Sequence, residues 1–460
     1  MPYAGSPHRR PSAPHPAPAI IKVEPVFATA VQRAAVVSLL VAAASAFAQG
    51  SSNEPHLLDP YLPAWLRVGG QVRARLEVPV GSDLVQNSGD PYLLTRVRWN
   101  VAVRPWKWLT LFAETQDTRA LGYDGAPPAT MQNPLDLRAA YLEIKSGDDR
   151  GVMLRAGRQE MAFGNSRVIS IGPWSNTSKT FDAIRAAWYR PGLRFELIAG
   201  SLVQVDGNRF DRHKPGEHFY ASYNTFSKLA PHSQIEPYFI VKTVEGVTGE
   251  LGSRGNAVVY IGGLRWAGAF APRFDYSAEM LRQWGSWAAD GVRATAGTYT
   301  LGWTVNDSPH KPRLSVDYSF GSGDRNPSDG TRGTLDLLYG NNQPFFSYTG
   351  MFSWRNLRTL RAGADFSVHK RVKVVLDFRD FYLATVADAW YNSAGNRIVL
   401  NSRATSRHVG EGPDTQLVWT AGPYGQLTVG VAEVFAGSYL RQSGKGSGYL
   451  YPYLGWGKQF

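Results

Sequence analysis

The stretch Tyr449-Leu450-Tyr451-Pro452-Tyr453-Leu454-Gly455-Trp456-Gly457-Lys458-Gln459-Phe460 decides how the rest of this chain is read. Leu450, Pro452, Leu454, Trp456 and Phe460 fall on one side of a period-2 pattern, and Tyr449, Tyr451, Tyr453, Gly455, Gly457 and Gln459 on the other. That alternation belongs to a β-strand with two different faces. Two readings follow. An ordinary edge strand tolerates Pro452, which has no N–H to give to a neighbour. A barrel seam instead demands a partner strand near the mature N-terminus, because a closed barrel has no edges.

Composition narrows the choice. The 460 residues suit two or three soluble domains or one large barrel. There is no cysteine, which excludes a disulfide framework, a thiolate metal site and a cysteine nucleophile. The chain holds 14 Trp, 22 Tyr, 21 Phe and 47 Gly, yet its mean hydropathy is only −0.27. This excludes a helical membrane protein and fits strands in which apolar and polar residues alternate and average out. The net charge of +12 suits an anionic surface or substrate. Basic residues occur singly or in pairs such as Arg9-Arg10 and Lys370-Arg371, so no nucleic-acid-binding tail is expected.

Residues 1–30 are rich in Pro and Ala and carry no periodicity. Arg33 then precedes an apolar run, Ala34 to Ala48, that ends Ala46-Phe47-Ala48-Gln49. A charged flank, a short apolar core and an A-x-A site predict a secretory signal cleaved after Ala48. The run is too short to span a bilayer, which takes about 20 apolar residues. Cleavage removes Arg9, Arg10, Lys22, Arg33 and Glu24 and leaves +9. The expected organisation is an N-terminal extension and signal peptide at 1–48, a periplasmic lead at 49–63 and a barrel at 64–460.

Period 2 then takes over. Arg67, Gln71, Arg73, Arg75 and Glu77 alternate with Val68, Val72, Ala74 and Leu76, and Arg96, Arg98, Asn100 and Arg104 with Val97, Trp99, Val101 and Val103. Further strands are predicted at 109–119, 135–146, 151–162, 179–190, 193–205, 219–229, 233–244, 258–267, 274–287, 292–305, 311–321, 355–367, 372–384, 414–421, 427–436 and 449–460. The total is about 18, an even number. The connections alternate. Val80–Pro91, Ala120–Pro134, Phe163–Ser178, Ser322–Trp354 and Thr385–Pro413 are long; Pro105–Trp108, Gly147–Arg150, Pro191-Gly192, Val368–Arg371 and Gly422–Gly425 are short. Short periplasmic turns and long outer loops are the rule of a transmembrane antiparallel β-barrel, the all-β fold expected here.

Several segments carry a resemblance. They are Arg73-Ala74-Arg75-Leu76-Glu77, Phe112–Arg119, Ala140-Tyr141-Leu142-Glu143, Gly157–Gly164, Trp174-Ser175-Asn176, Thr180-Phe181-Asp182, Gly323–Pro327 and His408–Asp414. In this order they resemble the alginate-export family of outer-membrane β-barrel porins. The resemblance implies an 18-stranded monomeric barrel in the outer membrane of a Gram-negative bacterium, with an electropositive pore for an anionic polysaccharide. Its partners would be outer-membrane lipid and lipopolysaccharide and the β-barrel assembly machinery, which recognises a terminal aromatic, here Phe460. One departure stands out. Alginate exporters carry a long periplasmic loop before the penultimate strand, whereas this chain has only Gly422-Pro423-Tyr424-Gly425.

Charged residues on membrane-depth strands must face the lumen, because Arg on the lipid side costs about 2–4 kcal/mol at the midplane. The pattern therefore nominates Arg73, Arg75, Glu77, Arg96, Arg98, Glu114, Arg155, Gln159, Arg313, Asp317, Arg361, Asp365, Lys373, Asp377 and Arg379 as the substrate path. Arg158 and Glu160 break the alternation and are expected near the outer rim. Arginine binds carboxylate bidentately and does not titrate, so a ladder of weak sites would pass an anion. The main expectation is an outer-membrane channel for an anionic polysaccharide or oligosaccharide. The alternatives are an uptake porin for small organic acids or phosphate, which needs an inward-folded constriction loop (Ser322–Trp354 is the candidate), and a barrel enzyme or surface adhesin. No catalytic pattern, cofactor or metal site is predicted. His213 and His218 with Asp211 and Glu217 suit a solvated loop. Asp324, Asn326 and Ser328 begin like a calcium loop but continue with Asp329 where that loop needs Gly.

Overall fold

The computed structural model describes residues 61–82, 84, 89–207 and 209–460. The expected signal peptide and most of the periplasmic lead lie outside these residues. Eighteen long strands follow one another: β1 Leu66–Glu77, β2 Tyr92–Trp106, β3 Leu109–Leu121, β4 Asn133–Lys145, β5 Gly151–Gln159, β6 Phe181–Arg190, β7 Leu193–Gln204, β8 Glu217–Phe226 and β9 Ser233–Thr248. The circuit continues with β10 Arg254–Ala271, β11 Phe274–Trp287, β12 Asp290–Thr304, β13 Arg313–Gly321, β14 Leu357–His369, β15 Val372–Leu383, β16 His408–Thr420, β17 Gln426–Ala436 and β18 Tyr449–Gln459. Each pairs antiparallel with the next, and β18 pairs antiparallel with β1, so the sheet closes.

The seam places Gln71 opposite Gln459, Arg73 opposite Gly457, Arg75 opposite Gly455 and Glu77 opposite Tyr453. Phe460 completes it: its N–H donates to the Gly70 carbonyl at 3.0 Å and its carbonyl accepts from Gly70 N–H at 2.8 Å. Its ring meets Trp99 edge-on at 4.9 Å. Gly70 permits this approach, since a Cβ there would lie 2.7 Å from the Phe460 ring and 2.4 Å from the Arg98 carbonyl oxygen. The barrel reading of the final strand is the observed one.

Alternation gives each strand an apolar outer face. Ile184, Leu197 and Leu360 are 56%, 62% and 60% exposed there, which suits a wall facing lipid rather than water. Among the described residues no helix is long and apolar enough to cross a membrane. Aromatic pairs mark two levels. Trp106 stacks on Trp108 and Phe270 on Phe274 beside the short turns, and Trp284 stacks on Tyr260 toward the other end. Phe274 and Trp284 lie ten residues apart on β11, about 26 Å along a strand tilted by 40°, close to the apolar band of about 25 Å.

The connections follow the expected alternation except in one sector. Between β9 and β13 the outer connections shrink to residues 249–253 and 288–289, while the periplasmic one at 305–312 is longer. The strands take up the difference: β10 runs 18 residues, beyond the predicted 258–267. Strand β16 likewise starts six residues before the predicted 414. Two outer connections do not stay outside. Residues 160–180 and 322–356 turn into the barrel, where Ile169, Tyr339, Phe346, Phe352 and Trp354 join the main buried apolar cluster with Phe181, Phe219, Ile240 and Ile261 of the wall.

Candidate functional site

The candidate site is the lumen, and its two walls differ. On β1 and β2 the inward arginines are occupied by the loop at 160–180. Arg73 donates to the Pro173 carbonyl at 2.9 Å, the Ser175 carbonyl at 3.0 Å and Asn176 Oδ1 at 2.9 Å. Arg75 donates to the Trp174 carbonyl at 2.8 Å, stacks its guanidinium 3.9 Å above the Trp174 ring and pairs with Glu77 at 2.5 Å. Arg96 reaches the Asn176 carbonyl at 3.3 Å and Ser178 Oγ at 3.1 Å. Arg98 reaches Gln116 Oε1 at 2.7 Å and Ser178 Oγ at 3.1 Å. A guanidinium offers five donors in a fixed fork, which suits a cluster of carbonyls as well as a carboxylate. Among the described residues Arg73 and Arg96 contact no carboxylate. Glu114 lies 3.6 Å from Arg138, which also pairs with Glu160 at 2.5 Å.

The rest of the circumference is built from ion pairs. Arg155 Nε lies 2.8 Å from Glu143, Arg185 and Arg194 share Glu196, and Arg265 meets Glu236 at 2.5 Å. Arg313 bridges Asp275 and Asp365, and Lys373 meets Asp365 at 2.9 Å. Arg361 meets Asp377 at 2.6 Å, and Arg379 reaches Asp377 at 3.0 Å and Asp414 at 2.8 Å. Asp317 accepts from Thr298, Thr300 and Ser319 and lies 3.6 Å from Arg167. Gln159 hydrogen-bonds the Gly157 and Ala183 carbonyls. All the nominated side chains thus lie on the inner face, but few present a free charge there.

The loop at 322–356 crosses the whole lumen. Tyr339 packs against Phe181 of β6 at 5.5 Å and Phe219 of β8 at 4.9 Å. Eight residues later Ser347 Oγ donates to Asp414 of β16 at 2.8 Å, and the Tyr348 ring meets Tyr453 of β18 at 5.4 Å. Strands β8 and β16 are eight apart in a circle of eighteen, so the crossing runs close to a diameter. The loop at 160–180 lies against it: Trp174 touches both Tyr348 and Tyr453, and Ile169 forms a parallel bridge with Tyr339. Arg167 sits 4.2 Å above the Phe345 ring. Lys179 Nζ donates to the carbonyls of Tyr339 at 3.0 Å and Gly340 at 2.7 Å, and burial pushes its pKa down to about 8. Burial drives the Asp336 carboxyl upward, but Lys242 at 3.1 Å and Arg355 outweigh it and hold it below the usual carboxylate range.

Arg158, placed near the outer rim by its break in alternation, pairs with Asp182 at 2.8 Å. Glu160 instead turns inward to Arg138. Asp324 accepts from the backbone N–H of Asn326 and Gly333, as a turn residue does. His213 is exposed on a two-residue strand, and neighbouring Glu217 is committed to Lys214 and Lys242. Sequence reasoning did not nominate Arg138, Arg167, Arg185, Glu196, Glu236 or Arg265. Four of these (Arg185, Glu196, Glu236 and Arg265) follow the same strand alternation as the nominated residues; Arg138 is displaced by a bulge opposite Glu114-Thr115, and Arg167 has no periodic context.

Comparison with known proteins agrees with the barrel fold. The sequence model of the family described as alginate export matches residues 64–449. No curated protein sequence matches. Among solved structures, Pseudomonas aeruginosa OpdO is similar with a TM-score of 0.56 at 11% identity over 86% of this chain and 97% of that one. OccK5 (OpdH) of the same organism gives 0.56 at 9% identity, covering 86% and 98%. OpdK, solved with vanillate, gives 0.55 at 8% identity, covering 86% and 99%. At such identities the likeness is one of fold.

Proposed function

This chain belongs to the alginate export family, and on that premise we propose that it passes short carboxylate-bearing saccharides and small organic acids through a constricted, anion-selective lumen. It is an outer-membrane channel of a Gram-negative cell, not an enzyme. The observation that carries the finer reading is the near-diametric crossing of the loop at 322–356, from Phe219 to Asp414. A loop that bridges the lumen leaves narrow passages beside it. A small anion fits such a passage better than a long polymer. Charge supports the anion: β1 and β2 carry Arg73, Arg75, Arg96 and Arg98 inward, and Glu77 is the one carboxylate on those two strands. OpdK, a barrel of the same fold, was solved with vanillate, itself a carboxylate.

The second reading is passage of an intact anionic polysaccharide, favoured by the family match. Liposome uptake of uronate oligomers of increasing length separates the two. The constricted reading expects uptake of monomers and dimers and a steep fall with length. Removing residues 340–350 should lift that limit and raise single-channel conductance several-fold. Equal uptake of long and short uronates by the wild type would overturn it.

A further inference from the structure

The segment His408–Asp414 serves both faces of the wall: Val409 and Asp414 are buried on the inner side, whereas Glu411 is exposed on the outer one. Strict alternation would set His408 and Glu411 on opposite faces. A one-residue bulge prevents this: Phe381 pairs with Gly410 and Tyr382 with His408, so Val409 is left over. Bulges re-aim side chains in this way and recur beside functional sites. His408 and Glu411 consequently share the outer face with Asp380, which stands directly opposite Glu411.

Two carboxylates directly opposed on neighbouring strands repel one another. Among the described residues neither pairs with a Lys or Arg. The ligand atoms of Asp380, His408 and Glu411 all lie within 4.8 Å of one another. His408 Nε2 lies 3.0 Å from Asp380 Oδ1, yet both atoms are buried and neither makes a hydrogen bond. Ligand atoms of a tetrahedral shell about 2.1 Å from a metal are about 3.4 Å apart, close to this spacing. The His408 ring packs on Tyr382 at 4.9 Å, which fixes the imidazole plane.

We propose that Asp380, His408 and Glu411 form a dication site on the outer wall of the barrel. An imidazole with two carboxylates selects a Zn2+-like ion over Mg2+ or Ca2+, which favour all-oxygen shells. Three protein ligands leave a fourth position open toward the headgroup layer, because the site lies at the outer ends of β15 and β16. The ion cancels the carboxylate repulsion and clamps the two strands beneath the connection at 384–407. The site is independent of what the lumen carries.

The test is calorimetric titration of Zn2+ into the detergent-purified mature protein, with folding checked by heat-modifiable mobility. One saturable site per chain is expected, weakened at least about tenfold by His408→Ala, Asp380→Asn or Glu411→Gln, since even outer-shell losses cost that much. His213→Ala should leave it unchanged, and His408→Gln serves if His408→Ala does not fold. Absence of saturable binding, or wild-type affinity in folded His408 variants, would overturn the site.

Discussion

The β1–β2 wall and the β14–β16 wall use the same residue on the same face for different ends. On β14–β16, Arg361 and Arg379 meet Asp377 and Asp414, so charge is matched within the sheet. On β1–β2, Arg73 and Arg96 meet the carbonyls and side-chain oxygens of residues 173–178, so their charge is solvated but not cancelled. One wall is a near-neutral lattice. The other anchors a loop and leaves a positive field. An inward arginine therefore says little about selectivity until its partner is known.

The largest expected effect breaks the neutral wall. Asp414→Ala leaves buried Arg379 with Asp377 as its remaining carboxylate and strips Ser347 of its anchor. Removing one partner of a buried pair costs about 3–5 kcal/mol, so the urea midpoint of the folded barrel should fall markedly. Next comes the anchoring wall. Arg73→Gln removes donors from two carbonyls and an amide oxygen, at about 1–3 kcal/mol, and an uncancelled charge; anion selectivity should drop. The double variant Arg361→Gln/Asp377→Asn removes a matched pair and should leave the reversal potential near the wild-type value. Equal shifts in the two cases would erase the distinction between the walls.

The smallest effect concerns the contact between the loops. Burial lowers the Lys179 pKa from its ordinary 10.5 to about 8. The undocked loop therefore binds more protons between these values, and docking strengthens as pH rises from about 8 to 10.5. Below pH 8 the cost of burying the charge is fully present. Current noise should decline over that window in the wild type and stay flat in Lys179→Met.

The wall was legible in the sequence because period 2 reports a face directly. Arg73 alternates with Val72 and Ala74, and the seam between Tyr449–Gln459 and β1 follows from closure alone. The route of the loops was not legible. Residues 160–180 and 322–356 have no period, and the groups that receive Arg73, Arg75 and Arg96 are mainly backbone carbonyls, which every residue possesses. Trp174-Ser175-Asn176 stood out as a motif, but nothing local to it shows that it docks under β1. Local bulges also escaped notice: the extra residue at Val409 inverts the facing of His408.

The most direct test is the reversal potential of single channels under a KCl gradient, for the wild type and Arg73→Gln/Arg96→Gln. A constriction beside an uncancelled arginine wall predicts anion selectivity in the wild type and its near loss in the double variant. Cation selectivity in the wild type, or an unchanged reversal potential in a folded double variant, would contradict it.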